Sequence, residues 1–154
     1  DDTLAVARAA VGAKLVVRAF PWRDDFAAAR NAALAFAAEL GAEWALFVDT
    51  DERIDLRGAD PRAFLAATDA DAVFLPAADG SYRKERFFRL PPRGSNVGPT
   101  HECWVGPTRT VMPGAAFREL GKDEAGLRRK LARDLAILRR HTRDLSDDQR
   151  WWYY

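Results

Sequence analysis

The sequence predicts an α/β domain whose central sheet is mostly parallel and flanked by helices. Three observations indicate this class: apolar residues recur at intervals of three and four in some segments, short apolar runs lie between those segments, and Gly or Pro separates them. Helices that alternate with buried strands are typical of α/β domains. With 154 residues, 48% of them hydrophobic, the chain has room for one core of ordinary size.

The first 41 residues predict a helix, a strand and a second helix. Gly12 ends the first helix, and the Val-rich residues 14–19 are predicted to form a strand. Asp24 or Asp25 can accept hydrogen bonds from the amides that begin the second helix, and Gly41 ends it. The predicted apolar face of this helix consists of Phe26, Ala29, Ala33, Phe36 and Leu40.

Two apolar runs predict strands in the next part of the chain. EWALFV, residues 43–48, is short and continuously apolar, which suits a strand buried on both faces of a parallel sheet. Asp60 as a cap and Pro61 at the first helical position predict a short helix. DAVFLPAA, residues 71–78, then supplies a second buried strand.

The pattern changes after residue 80. Residues 81–90 alternate charged and aromatic side chains, and the Pro- and Gly-rich residues 91–107 follow, which predicts an antiparallel hairpin or meander. A last helix over residues 123–141 carries arginines opposite an apolar face. That apolar face consists of Leu127, Leu131, Leu135 and Leu138. We therefore expect a domain over residues 1–121 with a helical segment, 122–154, packed on it.

Composition and charge argue against several functions. Lys and Arg number 24 against 23 Asp and Glu, so a net charge of +1 provides no field that would attract nucleic acid or an anionic membrane. No apolar stretch approaches the ~20 residues that a membrane span needs, and the acidic start lacks the basic region of a signal peptide. Because Cys103 is the single cysteine, no internal disulfide can form, which favours a cytoplasmic protein.

Acidic side chains crowd the end of the strand predicted over residues 43–48. Asp49, Asp51 and Glu52 lie where open α/β sheets bind their ligands. Neighbouring carboxylates raise one another's pKa unless a cation compensates, and Mg²⁺ or Mn²⁺ prefers oxygen ligands. The sequence predicts such a metal here; the alternative is a solvated turn with Arg53 as an ion partner.

Arg30 and Asn31 stand out in a helix otherwise lined with alanine. The Arg30 guanidinium can bind phosphate or carboxylate through two nitrogens, and Asn31 offers both a donor and an acceptor. A pair that simply faces solvent is the alternative.

Four sequence blocks in order resemble the family-two glycosyltransferases, in the bacterial branch that carries D-F-x-x-A-R-N, D-x-D-E and H-E motifs. The blocks are DDFAAARNAAL at 24–34, WALFVDTDERI at 44–54, RFFRL at 86–90 and THE at 100–102. The resemblance covers most of the chain. It implies a GT-A-type fold and inverting transfer of a sugar from a nucleoside diphosphate sugar, with Mg²⁺ or Mn²⁺ on the diphosphate.

The resemblance also implies roles for the residues of the first two blocks. Asp51, with Asp49 beside it, would hold the metal against both phosphates and neutralise the charge that develops on the leaving diphosphate. Asp49 alternatively reaches the ribose. Asp25, Arg30 and Asn31 match the part of the motif that contacts the nucleotide donor.

The HE pair supplies the candidate catalytic residues. Inversion needs a base that takes the proton of the acceptor hydroxyl, and Glu102 is the candidate. His101 could orient that carboxylate, contact phosphate or ligate the metal; an exposed polar loop is the alternative for both residues. Trp104 is expected in the core rather than stacked on a sugar, and Arg86 or Arg89 is expected near the site.

The chain departs from the family pattern in two places. Of the first block, D-x-G-S-x-D-x-T, DDT alone is present, so we expect the first strand to be missing, with the sheet completed by missing segments or a partner chain. Where many relatives carry a histidine that helps to bind metal or diphosphate, this chain carries Glu119, which we assign as a third metal ligand.

Two rival functions stay open. A phosphatase of the haloacid-dehalogenase type would use Asp49 as nucleophile with Mg²⁺, but Arg53 departs from its motif. The other is a non-catalytic module with a truncated transferase fold, whose RWWYY end, residues 150–154, packs on a partner. The acceptor, whether saccharide, lipid or protein, is not specified by the sequence.

Overall fold

A computed structural model describes residues 2–144, which form four α-helices and eight strands. The helices are α1 (Thr3–Val11), α2 (Phe26–Glu39), α3 (Pro61–Ala67) and α4 (Glu124–Asp144). The strands are β1 (Trp44–Leu46), β2 (Glu52–Asp55), β3 (Ala72–Pro76), β4 (Arg83–Arg89), β5 (Ser95–Val97), β6 (Cys103–Val105), β7 (Arg109–Val111) and β8 (Ala116–Glu119). The aromatic end at residues 150–154 lies outside the described range.

A four-stranded sheet in the order β1-β4-β3-β7 forms the centre of the fold. β4 pairs antiparallel with both β1 and β3, and among the described strands the parallel pair is β3–β7. The α/β class is confirmed, but the prediction of a mostly parallel sheet is wrong for residues 2–144. The reason is that a short turn joins β3 to β4, which reverses the chain where a parallel pair would need a crossover helix.

Helices cover both faces of this sheet. The cluster on the α3 side buries Val73, Leu75, Phe87, Met112 and Phe117. The cluster on the α2 side buries Leu34, Ala72, Phe88, Leu90 and Trp104. Adjacent residues such as Phe87 and Phe88 fall in different clusters because successive side chains of a strand point to opposite faces. The domain is therefore built as helix, sheet and helix layers.

The predicted start and end of α2 are confirmed. The Ala28 backbone N–H donates to Asp25 Oδ1 at 2.8 Å, which satisfies one of the free amides of the first turn. At the other end Gly41 adopts φ 77°, and the amides of Gly41 and Ala42 donate to carbonyls of the last turn at 3.0 and 3.2 Å. This motif reverses the chain toward β1.

The buried face of α2 differs from the predicted one. Ala27 and Leu34 are buried, whereas Ala33 and Leu40 are exposed. Relative to the prediction the helix is rotated about its axis, because the side that carries Asn31 packs against β5 and the sheet. Alanine-rich sequences fix such a rotation poorly, since most of their faces are similarly apolar.

Two of the strand predictions differ from the structure: one strand does not form, and the other lies at the edge of the sheet. Residues 14–19 form no strand and are largely exposed, because no strand within the described residues pairs with them. Arg18 instead forms an ion pair of 2.5 Å with Glu39 and lies 4.0 Å from the centre of the Phe36 ring. β1 forms as predicted, but it is an edge strand with Leu46 46% exposed, not a strand buried on both faces.

The last helix contacts the start of α2. The Arg133 guanidinium lies 4.7 Å from the centre of the Phe26 ring, and Arg140 pairs with Asp24 at 3.0 Å. Leu138 is buried. The rest of the predicted leucine face is exposed: Leu127, Leu131 and Leu135. No helix within residues 2–144 combines the length and the apolar character needed to cross a membrane.

Replacing Phe88 by Ala should lower the free energy of unfolding by about 3–5 kcal/mol, because a buried ring is removed and a cavity remains. The Phe88 ring is 1% exposed and lies 5.0 and 5.1 Å from the rings of Phe47 and Trp104. Leu46→Ala on neighbouring β1 is the control, with an expected change within about 0.5 kcal/mol. Denaturant unfolding followed by circular dichroism measures both, and equal losses would contradict this core.

Candidate functional site

A cleft of about 1140 Å³ brings together six of the eight predicted site residues. These six are Arg30, Asp49, Asp51, His101, Glu102 and Glu119. The cleft lies between the turn after β1, the segment before β6, the end of β8 and the first half of α4. Asp25 and Asn31 are not part of its lining.

The turn after β1 places the acidic residues at one rim, as the sequence predicts. The Glu52 backbone N–H donates to the Asp49 carbonyl at 2.9 Å, which closes the turn and starts β2. Glu52 pairs with Glu119 in the antiparallel β2–β8 register. The Leu120 N–H donates to the Asp51 carbonyl at 2.6 Å. Backbone pairing therefore brings Glu119 to the rim that Asp51 occupies.

Arg30 connects α2 to two acidic segments. Its Nε donates to Glu102 Oε1 at 2.5 Å, and its Nη2 donates to Asp49 Oδ1 at 3.0 Å. The side chain is 22% exposed. Burial works against its charge, but the attraction of Glu102 and Asp49 outweighs burial and raises the pKa of Arg30 above its usual value. Arg30 therefore stays a cation between two carboxylates.

Arg86 of β4 forms the buried part of the site. Of the two arginines expected near the site, Arg86 lines the cleft, whereas Arg89 donates to backbone carbonyls before β3. Arg86 is 2% exposed, pairs with the buried Glu52 and reaches Asp49 Oδ2 at 3.3 Å. Its Nε has no hydrogen-bond partner among the described residues. The additional contact with Asp49 helps to offset the hydration that the buried Arg86–Glu52 ion pair loses.

Two lysines that the sequence analysis missed neutralise the rim. Lys122 pairs with Asp51, and Lys84 pairs with Glu119 and, at 2.9 Å, with Glu52. We call Asp51, Lys84, Glu119 and Lys122 the lysine–carboxylate cluster. The position of Lys84 at the site could have been predicted, since Lys84 lies two residues before Arg86 on β4 and residues two apart on a strand share a face. Lys122 follows β8 in a loop, where no periodicity signals it.

These ion pairs shift the acidities of the rim. The hydrogen bond from Lys122 lowers the pKa of Asp51, and burial opposes it. The hydrogen bond from Lys84 likewise lowers the pKa of Glu119. For Lys84 burial opposes the charge, but its bonds to Glu119 and Glu52 raise its pKa. Both members of the Lys84–Glu119 pair are therefore stabilised in their charged forms.

The predicted metal ligands are not arranged as one ligand set. Asp49 contacts Arg30 and Arg86, and each of the other two carboxylates contacts a lysine. Within residues 2–144, no three His, Cys, Asp or Glu side chains are grouped to hold a metal ion. The arrangement of these charges does not fit the Mg²⁺ or Mn²⁺ site that the resemblance implies.

The candidate catalytic pair precedes β6. His101 has φ 49°, a left-handed conformation that few residues other than Gly adopt, and its side chain is exposed at the cleft. The Glu102 side chain is 15% exposed and turned to Arg30. Trp104 is completely buried against Phe88, which confirms it as a core residue.

Asn31 clamps β5 to α2. Its Nδ2 donates to the Asn96 carbonyl at 2.9 Å, and its Oδ1 accepts from the Asn96 backbone N–H at 2.8 Å. Asp25 caps α2, as described above. The hydrogen bonds of both side chains thus serve the helix that presents Arg30.

A scan of the chain against models of known protein families finds no match, and a search of curated proteins also finds none.

Replacing Asn31 by Ala should lower the free energy of unfolding by about 1–3 kcal/mol, because the buried backbone groups of Asn96 lose their partners. Asn31→Asp keeps the acceptor for the Asn96 amide but sets a carboxylate oxygen against the Asn96 carbonyl, so it should also lower the free energy of unfolding. Thermal unfolding of both variants provides the measurement. An unchanged unfolding temperature for Asn31→Ala would show that the clamp does not contribute.

The unfolding free energy should fall as the pH drops below about 4.5, the ordinary pKa of a glutamate such as Glu119. The folded-state pKa of Glu119 is lower, so the unfolded chain takes up its proton first, and the stabilisation is lost as the pH falls through the folded value. Glu119→Gln should make this pH dependence shallower, and so should Lys84→Met. Denaturant titrations of both variants between pH 3 and 7 measure this dependence. If the pH profiles of the variants match that of the unaltered protein, the Lys84–Glu119 ion pair does not contribute to stability.

Proposed function

We propose that the cleft binds a nucleoside diphosphate sugar and transfers its sugar, with inversion, to a hydroxyl group of a saccharide, lipid or protein. One observation carries the proposal: Arg30 contacts both Glu102, the candidate base, and Asp49 of the acidic turn. These residues come from three separate blocks of the sequence, so their convergence in one cleft supports the reading of the blocks as one site.

The proposed chemistry uses Glu102 as general base. The acceptor oxygen attacks the anomeric carbon while its proton passes to a Glu102 carboxylate oxygen. The bond between that carbon and the diphosphate oxygen breaks on the opposite face, and its electron pair leaves with the diphosphate. Basic side chains of the cleft then neutralise the added negative charge. They include Arg30, Lys84, Arg86 and Lys122.

Arg30 sets a condition for this step. The Glu102 Oε1 atom already accepts a hydrogen bond from the Arg30 guanidinium at 2.5 Å, so this oxygen is occupied before an acceptor hydroxyl arrives. A diphosphate would compete for the same guanidinium, because Arg binds phosphate oxygens through two nitrogens. Donor binding that draws Arg30 away would leave Glu102 able to accept a proton.

The same contact favours a second candidate, a non-catalytic module that binds nucleotide or sugar. If Arg30 stays on Glu102 when ligand is present, the base remains engaged and the cleft binds without transfer. The presence of one cysteine, Cys103, agrees with a cytoplasmic location for either function.

Glu102→Gln should bind nucleotide at least as tightly as the unaltered protein, because Arg30 loses a charged partner that competes with the diphosphate. It should lower sugar transfer by about 100-fold or more, since a missing general base typically costs that much. A thermal-shift screen of nucleoside diphosphate sugars selects the donor, calorimetric titration with UDP and GDP measures binding, and release of the nucleoside diphosphate reports transfer. Glu43→Gln, an exposed carboxylate before β1, is the control.

The outcomes separate the two candidates. If Glu102→Gln retains full transfer activity, a residue other than Glu102 is the general base. Nucleotide binding without transfer in the unaltered protein would favour the non-catalytic module. No heat with either nucleotide from a folded protein would refute the donor site.

A further inference from the structure

The lysine–carboxylate cluster is neutral before any ligand enters. Asp51 and Glu119 supply two negative charges, and Lys122 and Lys84 supply two positive ones. A divalent cation would bring the same charge of two to the same carboxylates. The place that the resemblance gives to a metal ion is therefore already filled by ammonium groups of this chain.

Lys84 is held in this position by more than one contact. Its Nζ lies 2.9 Å from Glu52 Oε1, and it lies 5.2 and 5.6 Å from the centres of the Phe117 and Tyr82 rings. Cation–π attraction and the two carboxylates together hold the ammonium at the rim. Lys122 is more exposed, but the short connection from β8 to α4 keeps it beside Asp51.

The ammonium groups of Lys84 and Lys122 oppose a second cation at Asp51 and Glu119. A metal ion at Asp51 and Glu119 would lie among Lys84, Lys122 and the Arg86 guanidinium, and like charges repel strongly where water is partly excluded. Arg86 is almost completely buried, lines the cleft and has an Nε with no partner in the described part of the chain. The Arg86 guanidinium is paired with Glu52 and Asp49, so the more exposed Lys84 and Lys122 are the cations that an anion at the rim would contact.

We propose that Lys84 and Lys122 act in place of a divalent cation, so that the cleft binds a nucleoside diphosphate without metal. The inference rests on the proposed function for the identity of the anion. The lysine ammonium groups donate to the diphosphate oxygens and give up part of their contact with the carboxylates, which then keep the ammonium groups at the rim. Asp51 and Glu119 are thus positioning residues for the lysines.

The first test is calorimetric titration of the whole chain with UDP and GDP, in EDTA and in Mn²⁺. We expect the same affinity within about twofold in both conditions. In EDTA, Lys122→Met should weaken binding about tenfold or more, as expected when a charged hydrogen bond is lost. Lys14→Met, an exposed lysine beside α1, is the control and should bind normally. Circular dichroism confirms that each variant is folded.

The second test needs no nucleotide. Mn²⁺ binding, measured from the paramagnetic resonance signal of the free ion, should be weak in the unaltered protein and stronger in Lys84→Met/Lys122→Met, where the carboxylates lose their partners. If the double variant does not fold, Lys122→Met alone serves, since Lys122 is exposed.

Different results would overturn different claims. Nucleotide binding that requires Mn²⁺, or tight Mn²⁺ binding by the unaltered protein, would overturn the role of the lysines and leave the proposed transferase intact. No nucleotide binding in either condition would overturn the proposed function and the metal-independent nucleotide site together, and unchanged Mn²⁺ affinity in the lysine variants would independently overturn their replacement of the cation.

Discussion

The acidic turn after β1 depends on compensation by basic side chains, and the rest of the cleft is arranged around that requirement. Asp49 and Glu52 lie where the backbone closes a turn, and Glu52 is buried. An uncompensated buried carboxylate would destabilise the fold by several kcal/mol, so a cation must accompany it. The chain supplies guanidinium groups from two elements, Arg30 of α2 and Arg86 of β4. These ion pairs fix how the helix and the sheet meet at the cleft.

The antiparallel ribbons extend this arrangement beyond the central sheet. The β2–β8 pair carries the acidic rim, and its register sets Glu119 opposite Glu52. The β5–β6 pair carries the segment that leads to Glu102, and the Asn31 clamp ties β5 to α2. Arg30 immediately precedes Asn31 in α2, and its side chain reaches across to Glu102. A hydrogen-bonded backbone thus positions the charged groups more rigidly than long side chains on loops could do.

For function, the consequence is a cleft in which opposite charges are paired before a ligand arrives. An anion such as a diphosphate can bind such a site by exchanging partners with the basic groups, whereas a cation would have to displace them. Arg30 is central to this exchange because it holds both the candidate base and Asp49. The same exchange decides whether the cleft performs transfer or binding alone.

The limits of α2, the start of α3 and the identity of the charged blocks were predictable from local chemistry. The cap at Asp25, the reversal at Gly41 and the start of α3 after Asp60 follow from residue type, because they depend on backbone groups a few positions away. The convergence of Arg30 and Glu102 was predictable from the resemblance of the blocks that contain them, though not their direct contact.

By itself the sequence determined the order of elements from α2 to β3, the acidic strand end and the candidate residues. Tertiary structure alone decided strand direction, the rotation of α2 and the partners of Asp49, Asp51, Glu102 and Glu119. The physical reason is range: caps and periodicity act within one or two turns, whereas Lys122 meets Asp51 across 71 positions of sequence. Whether an acidic cluster attracts a metal or is neutralised from within depends on which distant cation the fold brings to it.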